Sequence, residues 1–175
     1  MQIRLDQIHE EPFRWQESVT VTPAELERSE LVSLSPIDWR GEVSYVAPSY
    51  LLRAHLRYHQ TLACSRCLAP VEEPIAVDLE LLITTHASTP EPGEVEIGEE
   101  ELGLVSLNDD VLDLRPLLLE QLQLNIPMRP LCREDCAGLC PHCGADLNRG
   151  PCGCKEAEAD PRWQALESLR NRFGA

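Results

Sequence analysis

Residues 52–83 read LRAHLRYHQTLACSRCLAPVEEPIAVDLELLI, and this stretch decides the fold. In its first part the even positions Leu52, Ala54, Leu56, Tyr58 and Leu62 are mainly apolar, while Arg53, His55, Arg57 and His59 occupy odd positions. A period of two is that of a strand with one buried face. After Cys64 and Cys67 the alternation resumes: Val71, Ile75, Val77, Leu79, Leu81 and Ile83 share one face, and Glu72, Asp78 and Glu80 the other. Two such strands joined through C-S-R-C predict an antiparallel hairpin with the cysteine pair at its tip.

Working outward, residues Ile3 to Ile8 alternate, Ser18 to Val21 reads as a short strand, and Thr22 caps a short helix opened by Pro23. Leu31 to Trp39 and Glu42 to Val46 read as a hairpin turning at Arg40 and Gly41. Residues 86–103 cluster Pro, Gly and acids without periodicity and read as a solvated acidic loop. Asp113 caps a helix from Leu114 to about Asn125, whose Leu114, Leu118 and Leu122 recur at i+4 and should cover the sheet; Pro127 and Pro130 stop it. A last helix starts at Asp160 and Pro161 with Trp163, Leu166, Leu169 and Phe173 on one side. The expected fold class is α+β: an antiparallel sheet covered by one or two helices, with a C-terminal cysteine-rich zinc knuckle and a terminal helix. The expected division is a body, 1–131, and a cysteine-rich unit, 132–175.

The chain of 175 residues carries 15 Lys and Arg against 30 Asp and Glu, a net charge of -15 that repels phosphate backbones at long range. A basic protein partner fits this charge better. Between Cys67 and Leu114 stand thirteen acids and no Lys or Arg, so that stretch is no phosphate-binding surface. No apolar run approaches the roughly 20 residues that span a bilayer. The N-terminus has neither the basic region nor the apolar core of a signal peptide, so a cytoplasmic location is expected.

All eight cysteines have a close neighbour: Cys64 with Cys67, Cys132 with Cys136, Cys140 with Cys143, and Cys152 with Cys154. A tetrahedral zinc ion with Zn–S bonds near ~2.3 Å needs pairs of thiolates from tight turns, and C-x-x-C supplies them. Gly144, following Cys143, permits the positive φ such a turn takes. Four pairs divide into two sites in three ways. Cys140, Cys143, Cys152 and Cys154 close the shortest loop, with Asn148, Gly150, Pro151 and Gly153 to turn it. Cys64 and Cys67 then join Cys132 and Cys136, pinning the distal segment to the sheet. Disulfides and thiol redox chemistry are the competing readings. A reducing cytosol disfavours the first, and a C-x-x-C between two strands lacks the helix N-terminus that activates redox thiols.

His142, inside C-P-H-C, is a spare ligand or a solvent-facing knuckle residue. Arg53, His55, Arg57 and His59, with Arg66, form a basic stripe that either contacts RNA or pairs with Glu72, Asp78 and Glu80 across the strands. A second basic group, Arg129, Arg133, Arg149 and Lys155, surrounds the knuckle and is a candidate RNA contact. No Gly-rich phosphate loop, nucleophile elbow, H-E-x-x-H or paired-carboxylate motif occurs, so no enzyme is expected.

The run PMRPLCREDCAGLCPHCGADLN (127–148), followed by C-G-C (152–154) and DPRWQAL (160–166), together with C-S-R-C-L (64–68), resembles the YceD family of large ribosomal RNA subunit accumulation proteins. The likeness runs from about Leu31 to Leu169. It implies support of the large subunit's long RNA during assembly or maturation, without a known catalytic activity, and a gene that often neighbours one for a small basic zinc-binding ribosomal protein. Some members of that family keep the early C-x-x-C and lack the distal knuckle, which implies two separable sites. The expected partner is large-subunit ribosomal RNA or its precursor, or a basic large-subunit ribosomal protein. The alternatives are a chaperone for such a protein with no RNA contact, and a thiol redox factor.

Overall fold

The 52–83 stretch folds into two long antiparallel strands around which the other elements are laid. The computed structural model describes residues 1–85 and 104–154; the acidic loop 86–103, Lys155 and the helix expected from Asp160 lie outside the described residues. In order come β1 (Gln2–Arg4), β2 (Phe13–Val19), α1 (Pro23–Leu26), β3 (Leu31–Leu34), β4 (Ile37–Val46), β5 (Ser49–Ala63), β6 (Pro70–Thr84), β7 (Leu104–Ser106), β8 (Val111–Asp113) and α2 (Leu114–Leu124). The main sheet runs β2-β4-β5-β6-β7, with β3 also paired to β5, and a separate two-stranded sheet joins β1 to β8. This is an α+β fold. The main sheet is antiparallel except for β7, which lies parallel to β6.

The β5–β6 register is continuous from Tyr50↔Ile83 through Leu56↔Val77 to Ala63↔Pro70. The even positions of β5 are buried, as the alternation requires, and they pack with Trp39, Ile37 and Val43 of β4. Gln60 is the polar member of that face. Its amide donates to Glu73 Oε2 (3.0 Å) and to the Asn125 carbonyl at the end of α2 (3.1 Å), tying the helix to the sheet. On β6 only Ile83 is fully buried; Ile75, Val77, Leu79 and Leu81 are half-buried.

Helix α2 forms where its pattern places it. The Asp113 carboxylate accepts the Arg115 N–H at 2.9 Å, and Leu114, Leu118 and Leu122 enter the core. On α1, the Glu25 carboxylate accepts the Thr22 N–H at 2.9 Å and pairs with Arg115 of α2. The two helices are thereby linked. No helix among the described residues is long and apolar enough to cross a membrane.

The expected turn at Arg40 and Gly41 is not one. β4 runs straight through, from Ile37 to Val46, and the break falls earlier, at Ser35–Pro36, where Pro36 has no N–H to give a ladder. The Ser35 hydroxyl accepts the His59 N–H at 2.9 Å, and β3 and β4 become successive lengths on one edge of β5. Gly41 stands between Trp15 and Ala54 in the register. A Cβ there would lie 2.5 Å from the Arg53 carbonyl and 2.6 Å from the Trp15 ring, so the glycine serves close approach of an indole. At the N-terminus the alternation from Ile3 is strand only to Arg4 and then becomes a 3-10 turn, Leu5–Gln7, that still buries Ile3, Leu5 and Ile8. The next strand begins at Phe13 and ends at Val19, ahead of the Ser18 to Val21 expected.

Gly41→Ala should therefore overpack the Trp15 contact and destabilise the protein by about 1–3 kcal/mol. In urea titration the midpoint should fall while the slope stays constant.

Candidate metal centres

The hairpin tip and the distal C-P-H-C turn are built alike. In the first, the Cys64 N–H donates to the Ala69 carbonyl (2.9 Å) and the Leu68 N–H to the Cys64 carbonyl (2.9 Å). In the second, the Cys140 N–H donates to Ala145 (2.8 Å) and the Gly144 N–H to Cys140 (2.9 Å). Both sequences read C-x-x-C-x-A. The residue after the second cysteine takes positive φ in each, 72° at Gly144 and 61° at Leu68. Gly144 suits this, whereas Leu68 is an L-residue held in the left-handed region.

The sulfurs of Cys64, Cys67, Cys132 and Cys136 lie within 4.8 Å of one another, as do those of Cys140, Cys143, Cys152 and Cys154. Each set could hold a metal ion. In the first, Cys64 to Cys136 is 3.9 Å and Cys67 to Cys132 is 3.6 Å. A tetrahedron with Zn–S bonds of ~2.3 Å has edges of about 3.8 Å, so the donor set fits zinc in kind and in spacing. His142 is exposed and outside the cluster.

Backbone and amide N–H groups surround the sulfurs. Burial pushes the Cys64 thiol up, but N–H groups of Arg66, Cys132 and Cys67 outweigh it and bring it down to about 6. The N–H groups of Cys143 and His142 bring Cys140 down to about 6. Cys132 is pushed up to about 12, first by its hydrogen bond with Cys67, and Cys154 to about 12, first by its bond with Cys143. The crowded sulfurs are thus driven apart in both directions: Cys64 and Cys136 down against Cys67 and Cys132 up in the first set, Cys140 down against Cys152 and Cys154 up in the second.

The two sets are joined. Asn148, in the loop between Cys143 and Cys152, accepts the Ala137 N–H on its Oδ1 (2.8 Å), while its Nδ2 donates to Cys136 Sγ (3.5 Å) and Asp146 Oδ1 (2.7 Å). Gly138, at φ +76°, lets the Leu139 N–H reach the Arg66 carbonyl at 3.1 Å. A Cβ at Gly138 would sit 3.1 Å from that carbonyl. The Arg66 guanidinium donates to the Glu134 and Cys136 carbonyls at 3.2 and 2.8 Å, fastening the first turn to the distal segment. Sequence reading missed these roles of Asn148, Leu68 and Arg66; the repeated C-x-x-C-x-A was the available signal for Leu68.

The candidate RNA contacts are mostly engaged within the chain. Arg53 pairs with Glu80 at 2.8 Å, and His55 Nδ1 meets Asp78 at 2.6 Å while its Nε2 accepts from Arg57 at 2.8 Å. Arg133 bonds Asp135 (3.3 Å) and Asn148 (2.8 Å), and Arg149 meets Asp146 at 3.4 Å. Arg129 is exposed on the segment leading to Cys132, and Lys155 lies outside the described residues.

The architecture is that of a small α+β protein whose sheet shares a four-cysteine cluster with a distal segment carrying a second. The family described as "Large ribosomal RNA subunit accumulation protein YceD" matches residues 52–170, and the chain belongs to that family. A Mycobacterium tuberculosis relative, named as an uncharacterized protein, is 39% identical over 107 residues, 61% of this chain and 48% of its own length. YlbN of Bacillus subtilis is 28% identical over 168 residues, 95% of this chain and 92% of its own. A protein of Arabidopsis thaliana named "Large ribosomal RNA subunit accumulation protein YCED homolog 1, chloroplastic" is 28% identical over 135 residues, 65% and 42% of the two chains. The chain spans about half the length of the mycobacterial relatives it matches. No solved structure matches it.

Because Asn148 reaches across to Cys136, Asn148→Ala should weaken metal at the first cluster about 10- to 100-fold, although the residue belongs to the second loop. Competition with a chromophoric chelator measures it.

Proposed function

We propose that this protein supports the accumulation of large-subunit ribosomal RNA as a non-enzymatic factor, with one structural zinc ion in each four-cysteine cluster. Membership of the YceD family carries the process, and the two tetrathiol sets support the metal. Cys64, Cys67, Cys132 and Cys136 would bind one zinc and hold residues 132–175 to the 1–131 body. Cys140, Cys143, Cys152 and Cys154 would bind the other and shape a knuckle. Zinc held by four thiolates keeps no open position, so it orders the chain and activates no water. Work on ribosomal RNA agrees with the cytoplasmic location expected from the sequence.

The protein reaches the RNA through a basic ribosomal protein in the reading that the charges favour. Arg53, Arg57, Arg133 and Arg149 already have partners within the chain, leaving Arg129 of the candidates among the described residues for direct contact, and a net charge of -15 opposes a phosphate backbone. Direct contact between the knuckle and RNA is the second reading, favoured by the position of Arg129 beside the first cluster. Crosslinking in cells separates the two: a basic large-subunit protein should be recovered on this chain in the first, and large-subunit precursor RNA crosslinked at Arg129 in the second. Deleting the gene should lower the large-subunit RNA relative to the small-subunit RNA; an unchanged ratio would sink the role itself.

Elemental analysis of protein purified without chelator should give two zinc ions per chain. Cys154→Ser should leave one zinc and an intact sheet by circular dichroism, whereas Cys64→Ser should lose the cooperative thermal transition of the body, since metal binding at that cluster is folding free energy.

A further inference from the structure

Among the described residues, strand β6 is fully paired on one side only. Its register with β5 covers Tyr50↔Ile83 to Ala63↔Pro70, but β7 meets it only at Leu82, Ile83 and Thr84. Among the described residues nothing pairs with the rest of that second edge. The direction of its backbone groups follows from two bonds. The Leu107 N–H donates to Thr84 O, so the even residues of β6 face the β7 side; the Cys64 N–H donates to Ala69 O, so the odd residues face β5. Ala76, Asp78 and Glu80 therefore turn their N–H and C=O groups to the open edge. Pro74 ends the run, having no N–H to offer.

The two faces beside that edge differ. Ile75, Val77, Leu79 and Leu81 are half-buried on the core side, short of cover along the edge. On the opposite face the Asp78 side chain is 91% exposed and that of Glu80 63%, although Glu80 pairs with Arg53 and Asp78 meets His55 Nδ1 on β5. A strand added here would set alternate side chains beside the apolar row and the others beside carboxylates.

We propose that the Ala76–Glu80 edge of β6 docks an extended segment of a basic protein, its side chains alternating between apolar residues and Lys or Arg, as an added strand. The proposal rests on the protein-partner reading above and names the surface that serves it. Charge selects the occupant. From Cys67 to Leu114 the chain has thirteen acids and no Lys or Arg, so a second copy would bring like charges to the same edge, and RNA would meet carboxylates where it needs cations. A basic strand gains at both faces and at the backbone.

The test uses the full-length, metal-loaded chain and two fluorescent peptides of about ten residues, a usual strand length. Both have the same Lys and Val content; one alternates them and the other separates them into two blocks. The alternating peptide should bind at least about tenfold tighter, the worth of roughly one or two net hydrogen bonds. N-methylation of its alternate backbone nitrogens should abolish that preference while leaving the protein untouched, and Ala76→Pro, which removes one outward donor without breaking a β5 bond, should reduce it. Equal binding of the two peptides, or indifference to both changes, would overturn the docking edge. So would single-stranded RNA oligonucleotide binding lost in Ala76→Pro. The accumulation role is read separately, from RNA ratios in the deletion strain, and can stand when the edge falls.

Discussion

The unbroken register between β5 and β6 is the constraint on which the other features depend. It buries the even face of β5, places the polar partners of the odd face in line across the strands, and brings Cys64 and Cys67 to the tip. A slip of one residue would turn Leu52, Leu56 and Leu62 to solvent and set Arg53 and Arg57 on the core. It would also carry the tip sulfurs away from Cys132 and Cys136. Register, core and first cluster are thus one choice, made by the alternation in a single stretch of sequence.

From that tip the order of the distal segment is transmitted by short-range bonds. The Ser65 N–H holds the Pro130 carbonyl at 2.8 Å, Arg66 holds two carbonyls of the Cys132–Cys136 turn, and Asn148 returns from the second loop to Cys136. Residues 127–154 contain few apolar side chains and no long helix or strand, so packing contributes little to their order. Backbone bonding supplies part of it, around two four-cysteine sets each able to hold a metal ion. The zinc proposed above would supply the rest, as metal does where a hydrophobic core is too small to do the work.

Much of this was legible because it is local. Period-two alternation, the Asp113 cap with its i+4 leucines, and loop entropy acting on the four cysteine pairs all act over short spans, and they gave the hairpin, α2 and the grouping of the sulfurs. What escaped depends on residues distant in sequence. Gly41 looks like a turn until Trp15 is laid across it. Pro36 was the real break, hidden within what read as one strand. The β1–β8 pair joins the two ends of the body, and neither segment shows its partner in its own pattern. The basic stripe could be read two ways because period alone cannot say which charges lie opposite; the register decides it, setting Arg53 against Glu80 and His55 against Asp78.

Charge completes the reasoning about partners. Arg53 and Arg57 are held on the outer face of the sheet by Glu80 and His55, and Arg133 and Arg149 in the distal loops by Asp135, Asn148 and Asp146. A cation already bonded to a carboxylate offers a phosphate little, because binding must first replace that bond, and exposed pairs are worth only about 0–1 kcal/mol to begin with. The individual pairs are therefore breakable, yet breaking those of Arg53, Arg133 and Arg149 would release a carboxylate beside the incoming phosphate. The surplus of acids compounds this during approach, within the reach of about 8–10 Å that screening leaves at ordinary salt. A polyanion is consequently opposed at contact and at approach, while a polycation is favoured at both. On this charge balance the role proposed above, in ribosomal RNA accumulation, is better served through a basic protein that carries the RNA contact itself than by direct contact.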